Sequence, residues 1–466
     1  MSFLDFLLIL VYLPLCLGVG KYFQNKHPHN PIYQKWFMKG LLFKLLACIA
    51  FCLVYTFYYD YGGDTRAYFQ EALIHIKALS NGPQVFYEVM TRQYENVSAT
   101  TLDLLFQTSF HSTTEYYTVN LGTPFILMGM GSYFSGSMLI GLFNYWGLWH
   151  FFLLFQRKFP ALEKQMAFSV LFIPSVLFWG SGFNKDTFIL CFVGLFLFYS
   201  DKLFSWKIFN IKAILIILIT GYLIFSIKAY VLVSLIPAVL IWRTLYLRDR
   251  INVWWLRSAV LPIIGGISIL AVTYSLNFLS QYTEKYSVEN FVDSAQSMQG
   301  WHYVEGRNTS GDNGRGSSYT LGSYEETTTG LLKVFPAAVN VTFFRPYFWE
   351  VKNTAMLAQA IESFLFLFFT VATILKVGIF RTYSFITNDS FLLMCVIFSI
   401  FFGFAVGFSS YNFGALSRYK IQCVPFFVAS LFILRYKHKE LKKGFVEKEI
   451  EARIRQNNQL IPGFNY

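Results

Sequence analysis

Residues 40–58 read GLLFKLLACIAFCLVYTFY. At 1.5 Å per helical residue the run extends ~28 Å, close to the ~30 Å of a bilayer's hydrocarbon. Comparable runs fall near 3–19, 136–155, 166–181, 187–200, 212–226, 229–246, 257–278, 355–376, 390–409 and 421–435. The chain as a whole is 55% hydrophobic and 14% charged. Soluble domains carry about 25% charged residues, and a chain this apolar could not cover its own surface in water. The expected fold is an all-α polytopic transmembrane helix bundle of about 11 spans. The runs at 166–181 and 187–200 are short, and read either as two tilted spans or as a broken, re-entrant pair. The first run lacks a basic n-region and a small-x-small cleavage site, so it reads as the first membrane helix and not as a signal peptide.

Lys and Arg set the orientation. Lys21, Lys26, Lys35 and Lys39 follow the first run. Arg157, Lys158 and Lys164, then Lys202, Lys207 and Lys212, then Arg243, Arg248 and Arg250, then Lys376 and Arg381 follow later ones. Eleven crossings put all of them on one side, which the positive-inside rule makes cytoplasmic. The N-terminus is then outside and the C-terminus cytoplasmic. The expected organisation is a bundle over 1–436, with outer loops at 59–135 and 279–354, and a charged cytoplasmic tail at 437–466. The stretch 306–330, rich in Gly, Ser, Thr and Asn, reads as a mobile loop. The formal net charge of +12 fits basic loops facing anionic lipid, and no nucleic-acid partner is expected. The six cysteines lie in or beside apolar runs without metal-ligand spacing, so neither a disulfide framework nor a zinc site is expected.

Ionisable groups at membrane depth are costly and suggest function. Five groups stand at the expected outer face. The first is Gly62-Gly63-Asp64-Thr65-Arg66-Ala67-Tyr68; Asp64 reads as a general base or as the N-cap of a helix over 65–79. The second runs from Pro174-Ser175 through Phe178-Trp179 to Lys185-Asp186. There Lys185 offers a cation to phosphate, or else snorkels to headgroups while Asp186 caps the next helix. Lys228, opening a later span, has the same two readings. Arg345 and Glu350, among Phe343, Phe344, Tyr347, Phe348 and Trp349, read as an interfacial aromatic belt or as a phosphate and sugar site, and Glu362 follows inside a span. Arg418 and Lys420 put two cations on the wrong side for the positive-inside bias, which implies an anionic partner. The set reads as net positive with a few carboxylates, suited to a lipid-linked phosphate. Polar residues thin out inward apart from Glu362, which favours an enzyme over a transporter.

The segment Gly62-Gly63-Asp64-x-x-x-Tyr68 resembles the first outer loop of multi-spanning GT-C-type glycosyltransferases and of O-antigen or exopolysaccharide polymerases. Pro174-Ser175…Phe178-Trp179…Ser181-Gly182…Lys185-Asp186 is similar to a pattern of bacterial polysaccharide-polymerase-like membrane proteins. Phe344-Arg345-Pro346…Trp349-Glu350 and Ser417-Arg418-Tyr419 resemble further elements of that set. The chain departs from the pattern where Asp60 and Asp64 stand four apart instead of adjacent, and where Lys228-Ala229-Tyr230 replaces Arg-Pro. The resemblance implies a GT-C-like enzyme of the bacterial inner membrane, transferring sugar from a polyprenyl-(di)phosphate donor to a glycan, lipid or protein acceptor. It implies Asp64 as catalytic base and Arg345, Arg418 and Lys185 on the donor phosphate. Arg66, Lys228 and Lys420 are further cations; Tyr68, Asp186, Glu350 and Trp349 are supporting residues, and 300–330 is a candidate lid. No cofactor is certain, and a divalent metal at Asp64 stays open. A transporter or flippase of a lipid-linked anionic glycan, or a non-catalytic subunit of an envelope machine, are the alternatives.

Overall fold

The computed structural model describes residues 3–59, 63–110, 112–205, 210–248, 316–322 and 328–460. The expected span at 257–278, Asp60 to Gly62, most of the 279–354 loop and candidate lid, and the last six residues of the tail lie outside the described residues. Among the described residues the regular structure is helical, with one isolated antiparallel bridge between Ser318 and Asn412. Six helices among the described residues are long and apolar enough to cross a membrane: Leu4–Asn25, Tyr33–Phe57, Tyr133–Lys158, Ile211–Tyr246, Thr354–Val377 and Ser390–Ser409.

Contacts between helix ends give the packing. Helix α1 (Phe3–Asn25) starts at the upper end, where Asp5 accepts from Ser132 at 2.8 Å, and finishes at the lower end, where Gln24 donates to Tyr33 O. Helix α2 (Met38–Phe57) rises from there. Helices α3 (Gly63–Ser80), α4 (Pro83–Thr91), α5 (Ala99–Phe106) and α6 (Thr113–Met128) form a layer at the upper end. The expected loop 59–135 is thus a helical cap with its own small apolar cluster of Ala78, Val89, Leu104 and Leu105. Arg92 ties it together, 3.7 Å from Glu71 and 4.1 Å from the Tyr116 ring. His75 is buried beside them, 3.2 Å from Thr123 Oγ1.

Helix α7 (Tyr133–Lys158) descends against α2. The next segment rises in pieces: α8 (Glu163–Ala167), a π-helical turn over Phe168–Phe172, a break at Ile173, and α9 (Pro174–Trp179). Proline at the first position of α9 lacks an N–H, which costs nothing in the first turn of a helix. The pieces track α2 upward: Glu163 accepts from Trp36 at 2.6 Å, Phe172 meets Phe43, and Phe178 meets Phe51. Helix α10 (Lys185–Ser205) then descends without a break. It presses on α7 through Gly147 and Gly194, where a Cβ on either would collide with the opposing backbone. Small residues allow such approach where hydrophobic driving force between helices is weak.

Helix α11 (Ile211–Arg248) has 38 residues, about twice what a bilayer needs, and leaves helical conformation at Lys228. Its first arm runs antiparallel to α10, with Gly221 facing Phe196. Its second arm runs parallel to α10, since Lys228 meets Asp186 and Arg243 meets Asp201 at the same separation of 42 residues. The helix is a hairpin, and the expected break between 226 and 229 falls at its tip.

Beyond the undescribed segment, α12 (Thr328–Phe344) occupies a stretch expected to be loop. Its apolar residues bury against α15 (Ser390–Ser409), and Thr342 Oγ1 donates to Gly403 O at 2.6 Å. Scattered Lys333 and Pro336 hid this short helix from a search for spans. Helix α13 (Thr354–Val377) descends beside α17 (Val424–Leu460), with Phe366 against Phe427 and Arg435 on Thr373. Helix α14 (Ile379–Thr387) joins α13 to α15 at the lower end, and α16 (Phe413–Tyr419) turns at the upper end. The tail boundary expected at 436 falls within α17, whose backbone stays helical to Leu460.

Gly147→Ala should lower the thermal midpoint of the detergent-solubilised protein by forcing α7 from α10, an overpacking cost of about 1–3 kcal/mol. Burial, then the charge of Arg92, pushes the His75 pKa down to about 4. An unfolded histidine protonates near 6.5, so below that value the unfolded state takes up more protons and stability falls as pH drops toward 4. His75→Gln should therefore lose less stability than wild type between pH 7 and pH 5, by on the order of 2 kcal/mol, measured by chemical unfolding at both pH values.

Candidate functional site

Gly180, Ser181 and Gly182 make the turn that carries the chain from α9 into α10. Gly182 has φ +77, a conformation glycine adopts without cost, and a Cβ there would strike Phe51. Lys44, buried midway along α2, donates to Gly180 O. Asn184 then accepts from Thr187 N at 3.0 Å. Asn184, not Asp186, therefore performs the capping that the sequence offered as Asp186's ordinary role. The Asp186 carboxylate is free to turn into the bundle, where it is 1% exposed.

Three elements converge on it. Lys228 Nζ, from the tip of the α11 hairpin, stands 2.5 Å from Asp186 Oδ1. Gln422, after α16, donates to the same oxygen at 2.8 Å. Arg418 Nε stands 3.4 Å from Oδ2, inside ion-pair range but without hydrogen-bond alignment. Lys228 is buried and lies 4.0 Å from the Tyr419 ring centroid, so it does not snorkel. Arg418 reaches outward as well: its Nη1 donates to Asp64 Oδ2 at 3.0 Å and its Nη2 to Tyr419 at 3.1 Å. Burial opposes the Arg418 charge, but Tyr419, Asp186 and Asp64 outweigh it and hold the pKa above its ordinary value.

Asp64 sits in the first turn of α3, where a helix N-terminus favours negative charge. Its side chain remains 51% exposed while engaging Arg418. Tyr68, one turn on, is buried between Phe110 and Phe183. Burial, then the charges of Asp64 and Glu115, pushes its phenol pKa up, which keeps the hydroxyl neutral. Lys185 is held by Glu115 at 2.6 Å and Thr114 at 2.9 Å, at the start of α6.

The other expected residues are placed differently. Arg345 closes on Glu350 through Nε at 3.1 and 3.0 Å and through Nη2. Burial would raise the Glu350 pKa, but Arg345 and the Tyr347 N–H outweigh it and hold it below the usual carboxylate value. The pair packs near Tyr319 and Phe413, apart from the ion pairs of Asp64 and Asp186. Trp349 is 81% exposed and stacks on Tyr347. Arg66 turns toward the Tyr133 ring, 4.9 Å away. Lys420 is buried below Arg418, its Nζ without a hydrogen-bond partner among the described residues and nearest in charge to Glu362. Glu362 accepts from Ser175 N at 3.0 Å.

Four of the six expected cations stand against a carboxylate: Arg418 and Lys228 against Asp64 and Asp186, Lys185 against Glu115, and Arg345 against Glu350. Arg66 faces the Tyr133 ring instead, and Lys420 Nζ has no hydrogen-bond partner among the described residues. One sequence expectation is corrected: polar residues do not thin out below this cluster. Lys44 lies at mid-depth, and Asp201 at the lower end gathers Lys158 at 2.7 Å, Arg243 at 2.9 Å and Arg157 at 3.5 Å. Sequence reading passed over Gln422, Glu115, Lys44 and Asp201. Gln422 and Lys44 did leave a signal, as polar residues within apolar runs. Asp64 faces a guanidinium instead of further carboxylates, so the described arrangement does not fit a divalent ion and no step is derived through one.

The chain matches no protein-family model, and searches of curated proteins and of solved structures return no match.

Removing Asp186 would leave Lys228 buried without its counter-charge, whereas Asp64 is half in water. Asp186→Asn should cost about 3–5 kcal/mol of unfolding free energy and Asp64→Asn under about 1 kcal/mol. Chemical unfolding in matched micelles checks both.

Proposed function

We propose that the protein is a membrane glycosyltransferase or polysaccharide polymerase that takes sugar from a polyprenyl-(di)phosphate donor at the outer face. One observation carries the reading: a half-exposed carboxylate, Asp64, stands 3.0 Å from a guanidinium that a buried acid also anchors. Glycosyl transfer from a lipid phosphate needs a base for the acceptor hydroxyl and a cation for the departing phosphate. Asp64 is reachable by an acceptor from the aqueous side. Arg418 is fixed by Asp186 and Tyr419 and can offer its fork to phosphate oxygens. Lys185 and Lys228 lie in the same neighbourhood; Arg345, closed on Glu350, is a second tier.

The upper end is read as the outer face because Lys35, Arg157, Lys158, Arg243 and Lys437 all engage partners at the lower end. On this reading α1, α2, α7, the α8–α9 unit, α10, both arms of α11, α13, α15 and the first part of α17 cross the bilayer. With 257–278 they make about eleven spans, the N-terminus outside and the C-terminus cytoplasmic.

Lys44 and the Asp201 group favour a second reading, a transporter or flippase with polar stations along its depth. Against it, α10 between Asp186 and Asp201 carries buried Phe188, Ile189, Leu190, Cys191, Phe192, Val193, Leu195 and Leu197. That packing leaves the two polar levels separated by a dry stretch.

In proteoliposomes given a polyprenyl-phosphate-linked sugar, Asp64→Asn should reduce transfer by about 10²–10⁴-fold, the usual contribution of a general base. Full transfer by this variant sinks the base assignment. Movement of labelled donor across the bilayer without glycan product favours the transporter.

A further inference from the structure

The pairing of Arg418 at the upper end has a consequence for binding. Arg418 cannot turn its Nη edge to a phosphate with its present partners in place, because Nη1 donates to Asp64 and Nη2 to Tyr419, while Nε faces Asp186. One acid must let go. Asp186 is 1% exposed, accepts from Lys228 and Gln422, and has no water to receive it. Releasing a buried charge without a partner is strongly unfavourable. Asp64 is 51% exposed, and its side chain pairs with Arg418 alone among the described residues. Water can solvate it at once, and exposed ion pairs are weak.

We propose that donor phosphate exchanges with Asp64 on Arg418, so that binding of the donor itself releases the base. This rests on the glycosyltransferase reading and adds a regulation to that site. With no phosphate bound, Asp64 is held against Arg418 with its Oδ2 taken up by Nη1, so that oxygen is not turned to an acceptor. Phosphate oxygens then take the Nη edge of Arg418 while Asp186 keeps the Nε side and Lys228 in place. Asp64, freed beside the bound donor, turns to the acceptor hydroxyl. No bond forms or breaks in this step; one anion replaces another. The order makes the base available only when a donor is present, which disfavours idle proton exchange at an empty site.

The prediction is a coupling between two residues in binding, separate from turnover. A short-chain polyprenyl phosphate is titrated into wild type, Asp64→Asn, Arg418→Gln and the double variant, each in nanodiscs, with inorganic phosphate titrated in parallel. Asp64→Asn should bind the lipid phosphate about three- to tenfold more tightly than wild type, because the competitor for Arg418 is gone. In the Arg418→Gln background the same change should give no gain, including the case where binding is lost altogether. A gain of equal size in both backgrounds would mean that Asp64 merely repels anions, and overturns the exchange; no gain in either overturns it too. Failure of every variant, wild type included, to bind either probe overturns the exchange and the donor reading with it. A tight wild-type complex that Asp64→Asn does not improve overturns the exchange alone. The same pattern with inorganic phosphate supports exchange driven by the phosphate group, and the pattern with the lipid alone supports exchange that needs the polyprenyl chain.

Discussion

A carboxylate removed from water must be given back, by protein groups, what water supplied. Asp186 sets that requirement at the upper end of the bundle, and two distant parts of the chain meet it: Lys228 from the hairpin tip, and Gln422 and Arg418 from the turn around α16. Each of these elements is where it is partly because Asp186 is there. The non-helical residue at the tip of α11 is Lys228 itself, so the reversal of the hairpin and the pairing of the charge are one feature. Asn184 makes this arrangement available by taking over the helix cap. Lys44 holds the preceding turn from below through the Gly180 carbonyl.

The ion pairs give the two ends of α10 a common design. At the top Asp186 is shared between Lys228 and Arg418, and at the bottom Asp201 is shared among Lys158, Arg157 and Arg243. The parallel arm of α11 supplies a cation at each level. The difference is access. The lower acid is enclosed, whereas the upper one connects through Arg418 to a carboxylate that remains half in water. That connection separates a structural clamp from a place where a ligand can bind, and it is why the upper end carries the functional reading.

Much of the helical framework is local and was legible. Apolar length marks the segments, and the interruption near 226–229 marks the hairpin tip. The break at Ile173 inside the run at 166–181 was not legible, because the run is apolar on both sides of it. The 59–135 region reads as an outer loop with one helix over 65–79, and its four helices meet through contacts such as Arg92 with Glu71 across the layer. Helix α12 escaped because Lys333 and Pro336 interrupt a stretch too short to read as a span. Of the candidate residues, Asp64, Asp186, Lys228 and Arg418 came together. Arg345 with Glu350 formed a separate closed pair, Trp349 faced outward, and Arg66 turned to Tyr133.

By itself the sequence determined the helical class, the apolar segments and the inventory of ionisable groups near their ends, because hydrophobic length and charge placement are properties of contiguous residues. Only the tertiary structure decided which charge meets which. Asp186 finds partners 42 and 236 residues away, and Arg418 reaches Asp64 across 354 residues. Such pairing depends on how helix ends converge, and one turn of helix rotation would redirect any of these side chains. The sequence therefore shows a set of cations, and the fold decides which of them stand against a carboxylate: Lys185, Lys228, Arg345 and Arg418 do, while Arg66 faces Tyr133.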